Sequence, residues 1–170
     1  GHLIATEQAT LDSLTVPQQQ VVKSNSIGAN GSTAPVTYSG PTTTQAGKAV
    51  AFAYAQLGCP YVYGATGPCH MGFDCSGLSQ FVYRHAGHGK RIDRTAEDQF
   101  LQFRRISHAA ARPGDLVFFH DSSDPASLVY HVGVYEGGDD MVAATTYGEG
   151  VQLQSFAWGG DTVTFGTVTH

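Results

Sequence analysis

The chain changes character near residue 46. Before it, apolar residues keep no period: Asn25 to Thr33 and Gly40 to Thr44 are built mainly from Asn, Ser, Gly, Thr and Pro. Residues 1–45 therefore read as a polar linker or tail. Leu3, Ile4, Leu11, Leu14 and Val16 stand out in it. They allow two further readings: the end of a helix from a lost upstream domain, or a segment that docks across a groove of the main body. From Ala46 the pattern becomes regular. Val50, Ala53, Tyr54 and Leu57 recur at helical spacing and predict a helix over 49–57, stopped by Gly58 and Pro60. A loop rich in Gly, Pro and Cys runs to Phe73. Leu78, Phe81, Val82 and His85 or Ala86 predict a second helix over 75–86. Thr95 reads as the N-cap of a third, shorter helix, with Asp98 completing a weak capping box. After Pro113-Gly114 the period switches to two. Strands are predicted over 115–119, 130–135, 140–145, 151–156 and 162–168, with a hairpin at Gly137-Gly138. Helices first and strands second imply an α+β domain over 46–170, with the helices on one face of an antiparallel sheet.

Composition narrows the class. The chain has 170 residues and 18.0 kDa, enough for one domain with a tail. Charged residues make up 14%, against about 25% in an ordinary soluble domain, which excludes a coiled coil or a charge-driven disordered chain. The formal net charge of −5 leaves no basic footprint for nucleic acid. No apolar run approaches the roughly 20 residues of a membrane span. Gly1-His2 reads as the remnant of a removed tag, so the lack of a signal peptide does not fix the compartment. The chain is read as a monomer.

Cys59, Cys69 and Cys75 form an odd set. If the first two pair, the remaining thiol is Cys75. It stands where a helix begins, between Asp74 and Ser76-Gly77. A helix N-terminus carries partial positive charge and unpaired N–H groups, which favour a thiolate and a developing oxyanion. Gly77 leaves room for a close backbone approach. The alternative is a buried cysteine packing as a small hydrophobe. A thiolate nucleophile needs a base. His131 opens a strand and offers fixed geometry, and His120, closing another, competes with it. His70 lies in the loop, His85, His88 and His108 read as surface groups, and His2 and His170 are terminal. No Cys or His spacing matches a zinc site, and no phosphate-binding glycine loop is present. No metal or cofactor is expected.

Five segments, in order, resemble the NlpC-type cell-wall cysteine peptidases. They are Gly58-Cys59-Pro60-Tyr61-Val62-Tyr63-Gly64, Gly72-Phe73-Asp74-Cys75-Ser76-Gly77-Leu78, Arg94-Thr95 with Gln99, Arg112-Pro113-Gly114-Asp115-Leu116-Val117-Phe118-Phe119, and His131-Val132-Gly133-Val134-Tyr135. The resemblance spans residues 46–168. It implies a papain-like α+β fold, with N-terminal helices packed on a five- to six-stranded antiparallel sheet. It implies cleavage of peptidoglycan stem peptides between γ-linked D-glutamate and the following diamino acid. Cys75 is then the nucleophile and His131 the base. Tyr61 lines the nucleophile pocket, Asp74 and Ser76 hold the peptide's free amine, and Arg94 belongs to the same substrate-binding set. Action on a cell wall implies a secreted or wall-associated protein, and an oxidising compartment implies a Cys59–Cys69 disulfide.

One position departs from the pattern. The family places a polar residue twelve positions after the base, and this chain has Ala143 there. Alanine cannot orient an imidazole. A backbone carbonyl, a water or Thr145, two residues on and on the same strand face, can substitute; otherwise activity is weak or lost. Two other readings therefore stand beside the endopeptidase: an amidase cutting between sugar and peptide with the same dyad, and a non-catalytic wall-binding module.

Overall fold

The computed structural model describes residues 37–86, 91–121, 123–124, 128–145, 150–156 and 162–168. The apolar tail residues Leu3 to Val16, and His2, His88 and His170, lie outside them. Among the described residues three α-helices, α1 (Gln45–Ala55), α2 (Cys75–His85) and α3 (Ala96–Gln102), precede all six strands: β1 (Arg104–Ile106), β2 (Leu116–His120), β3 (His131–Gly137), β4 (Asp140–Thr145), β5 (Gly150–Ser155) and β6 (Thr162–Thr167). The strands form one sheet in the order β1-β6-β2-β3-β4-β5, and every neighbouring pair is antiparallel.

Helix α1 starts four residues earlier than its apolar period predicts. The cause is Thr44, whose hydroxyl accepts from Gly47 N at 3.0 Å and caps a first turn with no apolar signature. The Thr95 cap forms as read from sequence, accepting from Asp98 N at 3.1 Å. Strand β1 escaped the sequence pattern. It is three residues long and mostly exposed, and it sits on the sheet edge against β6.

Successive residues of β2 divide between two cores. Leu116 and Phe118 join Val50, Ala53, Leu78, Val82 and Tyr83 in the layer between helices and sheet. Val117 and Phe119 join Tyr130, Tyr135, Met141, Ala143, Phe156 and Phe165 on the opposite face. Both faces are thus apolar and buried, which accounts for the unbroken Leu-Val-Phe-Phe run. His108 stacks on Phe165 at 4.8 Å between ring centroids and helps cover the second face.

The loop from Gly58 to Phe73 is bound to both layers. At one end, Gly58 N donates to Val151 O and Val151 N donates to Cys59 O, each at 2.9 Å, which ties the loop to the start of β5. At the other, Tyr61 bridges to Phe73 in parallel, and Asp74 N donates to Ala65 O at 2.9 Å. The Ala65 carbonyl rests on Gly77, where a Cβ would lie 2.1 Å from its oxygen. The close approach that this glycine permits is therefore made by the chain's own loop. A Cys59–Cys69 disulfide closes the loop on itself, with Cα atoms 5.1 Å apart.

Replacing both bridged cysteines by serine frees a loop of sequence separation 10. The expected loss, from the entropy of the opened loop, is about 2–3 kcal/mol in urea unfolding. A pair of variants unfolding at the wild-type midpoint would contradict it.

Candidate active site

Cys75 is the first residue of α2 and is 1% exposed. Asp74, its N-cap, has extended backbone and is also buried. One of its oxygens, Oδ1, accepts from Gly77 N at 2.6 Å, from the Ser76 hydroxyl at 3.3 Å and from Arg94 Nη1 at 3.1 Å. Its other oxygen accepts from Arg94 Nη2 at 2.6 Å. Arg94 Nη1 also donates to Ser76 Oγ at 2.8 Å. A lone buried carboxylate here would be costly and would oppose a thiolate one residue away. The two-pronged guanidinium cancels that charge and leaves the positive end of α2 to act on the thiol. Asp74, Ser76 and Arg94 are therefore brought together, as a lock on the first turn of α2. The carboxylate proposed to receive a substrate amine is already paired with Arg94 in the ligand-free fold.

Gln99 extends this lock. It is fully buried, its amide donates to Ser76 O at 3.0 Å and Asp93 O at 2.9 Å, and it accepts from the Ser79 hydroxyl at 2.7 Å. Every group of the side chain is used, so the glutamine bolts α2 to α3. Tyr61 lies half-buried beside Phe73, two residues ahead of Cys75.

His131 is the first residue of β3 and is 5% exposed. Helix α2 packs on this strand. The loop leading into Cys75 is tied to the start of β5, beside the end of β4 and hence the start of β3. Cys75 and His131 thus belong to the same end of the domain. Glu97 on α3 fixes the approach to β3, accepting from Val129 N at 2.6 Å. The Phe119 and Tyr130 rings flank the imidazole, with centroids at 5.4 and 6.4 Å. Burial strips water from the ring and pushes its pKa down to about 4, against a hydrogen-bonding influence of Gln154 that favours the charged form. The ring is therefore neutral at pH 7. Ala143 is fully buried on the second sheet face, and Thr145 is buried at the end of β4.

The other histidines separate from this site. His120, on β2, turns its ring toward Phe100 of α3, at 6.2 Å. His70 sits exposed in a single 3₁₀ turn, Cys69–Met71. His85 and His108 are exposed, their ring nitrogens held by Phe81 O and Gly138 O.

Residues 58–165 match the model of the NlpC/P60 family. The chain belongs to that family. It is 38% identical over 120 residues to the probable endopeptidase p60 of Listeria monocytogenes, covering 70% of this chain and 23% of that protein. It is 37% identical over 112 residues to the bifunctional muramidase/DL-endopeptidase CwlT of Bacillus subtilis, covering 65% of this chain and 33% of that protein. The chain thus spans a third or less of these relatives' length. Among solved structures, the peptidoglycan hydrolase RipB of Mycobacterium tuberculosis superposes with a TM-score of 0.59 at 27% identity, over 98% of this chain and 90% of that one. Helices packed on a six-stranded antiparallel sheet are the architecture of NlpC/P60 domains, as expected from the sequence.

Two residues of this NlpC/P60 domain went unread in the sequence. Glu97 looks like any acidic residue in a helix's first turn, and only tertiary packing shows what it caps. Gln154 alternates with Val151 and Leu153, the signature of a solvent-facing position. It is nevertheless 1% exposed, because the second sheet face is covered.

Arg94→Ala is expected to leave the Asp74 carboxylate buried and unpaired, costing about 3 kcal/mol in chemical denaturation. Arg94→Lys, keeping the charge without the fork, is expected to cost less. Equal stability of Arg94→Ala and wild type would show that the pair is dispensable. The lowered pKa of His131 gives a second expectation. Protons bind the unfolded ring below about 6.5 and the folded ring only near about 4, so stability is complete above that window and falls as pH drops through it. His131→Gln is expected to flatten the dependence, measured as Tm on both sides of the window. A variant as acid-sensitive as wild type would refute it.

Proposed function

We propose that this domain is a secreted or wall-associated cysteine endopeptidase that cleaves peptidoglycan stem peptides. The bond cut is the amide between γ-linked D-glutamate and the diamino acid that follows. The observation that carries the reading is a buried thiol on the first turn of α2, with its neighbouring carboxylate neutralised by Arg94, in a helix packed on the strand that His131 opens. The names of the p60 and CwlT relatives support the reaction class.

The chemistry follows from the environment. Because burial keeps the imidazole neutral, His131 takes the proton of the Cys75 thiol as sulfur attacks the amide carbonyl. The positive end of α2 favours the negative charge that builds on sulfur and then on the carbonyl oxygen. When the C–N bond breaks, the imidazolium gives its proton to the leaving amine, and a thioester remains. Water, losing a proton to His131, then hydrolyses the thioester and restores the thiol. Tyr61 walls the nucleophile side. Within the Asp74–Ser76–Arg94 cluster only Arg94 is part-exposed, so holding a peptide's free amine on the Asp74 carboxylate requires the pair with Arg94 to open. The protein acts as a monomer and uses no cofactor.

The test is incubation with a free-amine L-Ala–γ-D-Glu–diamino acid peptide, with products read by mass. Cleavage after D-glutamate is expected, with Cys75→Ala at least about a thousandfold slower and folded. A lactyl-sugar fragment released from intact peptidoglycan, with the stem peptide whole, would make the domain an amidase. Retention on peptidoglycan with no product would make it a binding module.

A further inference from the structure

The position at which the family keeps its third polar residue is Ala143, and the imidazole of His131 still needs something to hold it. The sheet register shows what is near. His131, Ala143 and Gln154 share one face: Tyr135 pairs with Met141, Met141 with Gln154, and Ala143 with Gln152. The diagonal across that face from His131 on β3 passes over Ala143 on β4 and ends at Gln154 on β5. Each of its two steps, His131 to Ala143 and Ala143 to Gln154, is a diagonal between adjacent strands, a separation that long side chains span, and Gln154 exerts a hydrogen-bonding influence on the His131 ring. A methyl group in the middle leaves the glutamine free passage to the ring.

Two buried atoms point to the same contact. His131 Nδ1 and Gln154 Oε1 are each buried and without a hydrogen-bond partner. One is a nitrogen that can carry a proton, and the other accepts only. Orphaned groups of this kind are rare and costly, and each supplies what the other lacks.

We infer that Gln154 is the positioning residue for His131: its side-chain oxygen reaches across Ala143 to accept from Nδ1–H, placing the third member of the constellation on β5 instead of β4. The bond fixes one tautomer. Nδ1 carries the proton, and Nε2 is left as the basic nitrogen. A neutral amide suits a buried neutral ring, since it adds no second charge to be desolvated. The small residue at 143 is then a requirement of the arrangement, because a larger side chain there would block the path. This inference rests on the reading of His131 as the base.

The experiment pairs kinetics with nitrogen-15 NMR of the imidazole, on the full chain. Gln154→Ala is expected to lower kcat about tenfold to a hundredfold with KM little changed, by analogy with loss of the partner that orients a metal-bound imidazole. Its spectrum is expected to lose the Nδ1–H signature of wild type. Gln154→Met, similar in length and unable to accept strongly, carries the same expectation should the alanine variant fold poorly. Ala143→Gln placed in the Gln154→Ala background is expected to recover both rate and tautomer, by supplying the amide from the intervening strand. Wild-type kcat and an unchanged tautomer in Gln154→Ala and Gln154→Met would overturn the inference, as would loss of the tautomer in Thr145→Val but not in Gln154→Ala. His131→Ala separates the two readings. If that variant cleaves at the wild-type rate, the base assignment fails, while the tautomer of wild type still reports whether Gln154 holds the ring.

Discussion

Asp74 holds the architecture of the site in place. A single buried carboxylate caps α2, accepts the Gly77 amide and grips Arg94 with both oxygens. Each role needs the negative charge, and the negative charge is tolerable only because Arg94 is there. The residue after it is the thiol. The geometry that starts the helix therefore also sets the electrostatics around sulfur, and neither can change alone. Gln99 and the Ala65 carbonyl continue the constraint: one fastens the turn to α3, and the other presses the preceding loop onto Gly77.

The opposite side of the site follows a different logic. His131 lies among aromatic rings on a sheet whose two faces are both covered. Desolvation there favours the neutral ring, so the imidazole accepts a proton only when chemistry supplies compensating negative charge. Rigid supports hold this arrangement: Glu97 fixes the backbone two residues ahead of the ring, and the Phe119–His131 register fixes the strand.

The loop between these halves links them mechanically. Its backbone bonds to Val151 and its bridge to Phe73 bind sheet and helix together at the end of the domain where Tyr61, Cys75 and His131 lie. The disulfide restricts that loop and leaves Cys75 outside the pair. Gly150 sits against the Cys59 carbonyl with positive φ, and any side chain there would push the loop from the sheet.

Much of this was legible in the chain. Periods of 3.6 and 2 located three helices and five strands, because each buries a face and must repeat with it. The Thr95 cap, the position of Cys75 at a helix start, and the opening of β3 at His131 are local consequences of short sequence signals. The early start of α1 was hidden because its first turn, capped by Thr44, is polar. The edge strand β1 was hidden because three mostly exposed residues carry no alternation. Gln154 and Glu97 were hidden for a deeper reason: a polar residue on an alternating strand or a helix turn reads as solvated until another layer covers it. The sequence by itself determined the order of elements, the place of Cys75 at a helix end, and the absence of a side chain able to orient histidine from position 143. Tertiary structure alone decided that Arg94 neutralises Asp74, that the second sheet face is buried, and that a polar side chain on β5 shares that face with His131. Those outcomes depend on which surfaces meet, and contacts between distant segments leave no local period to read.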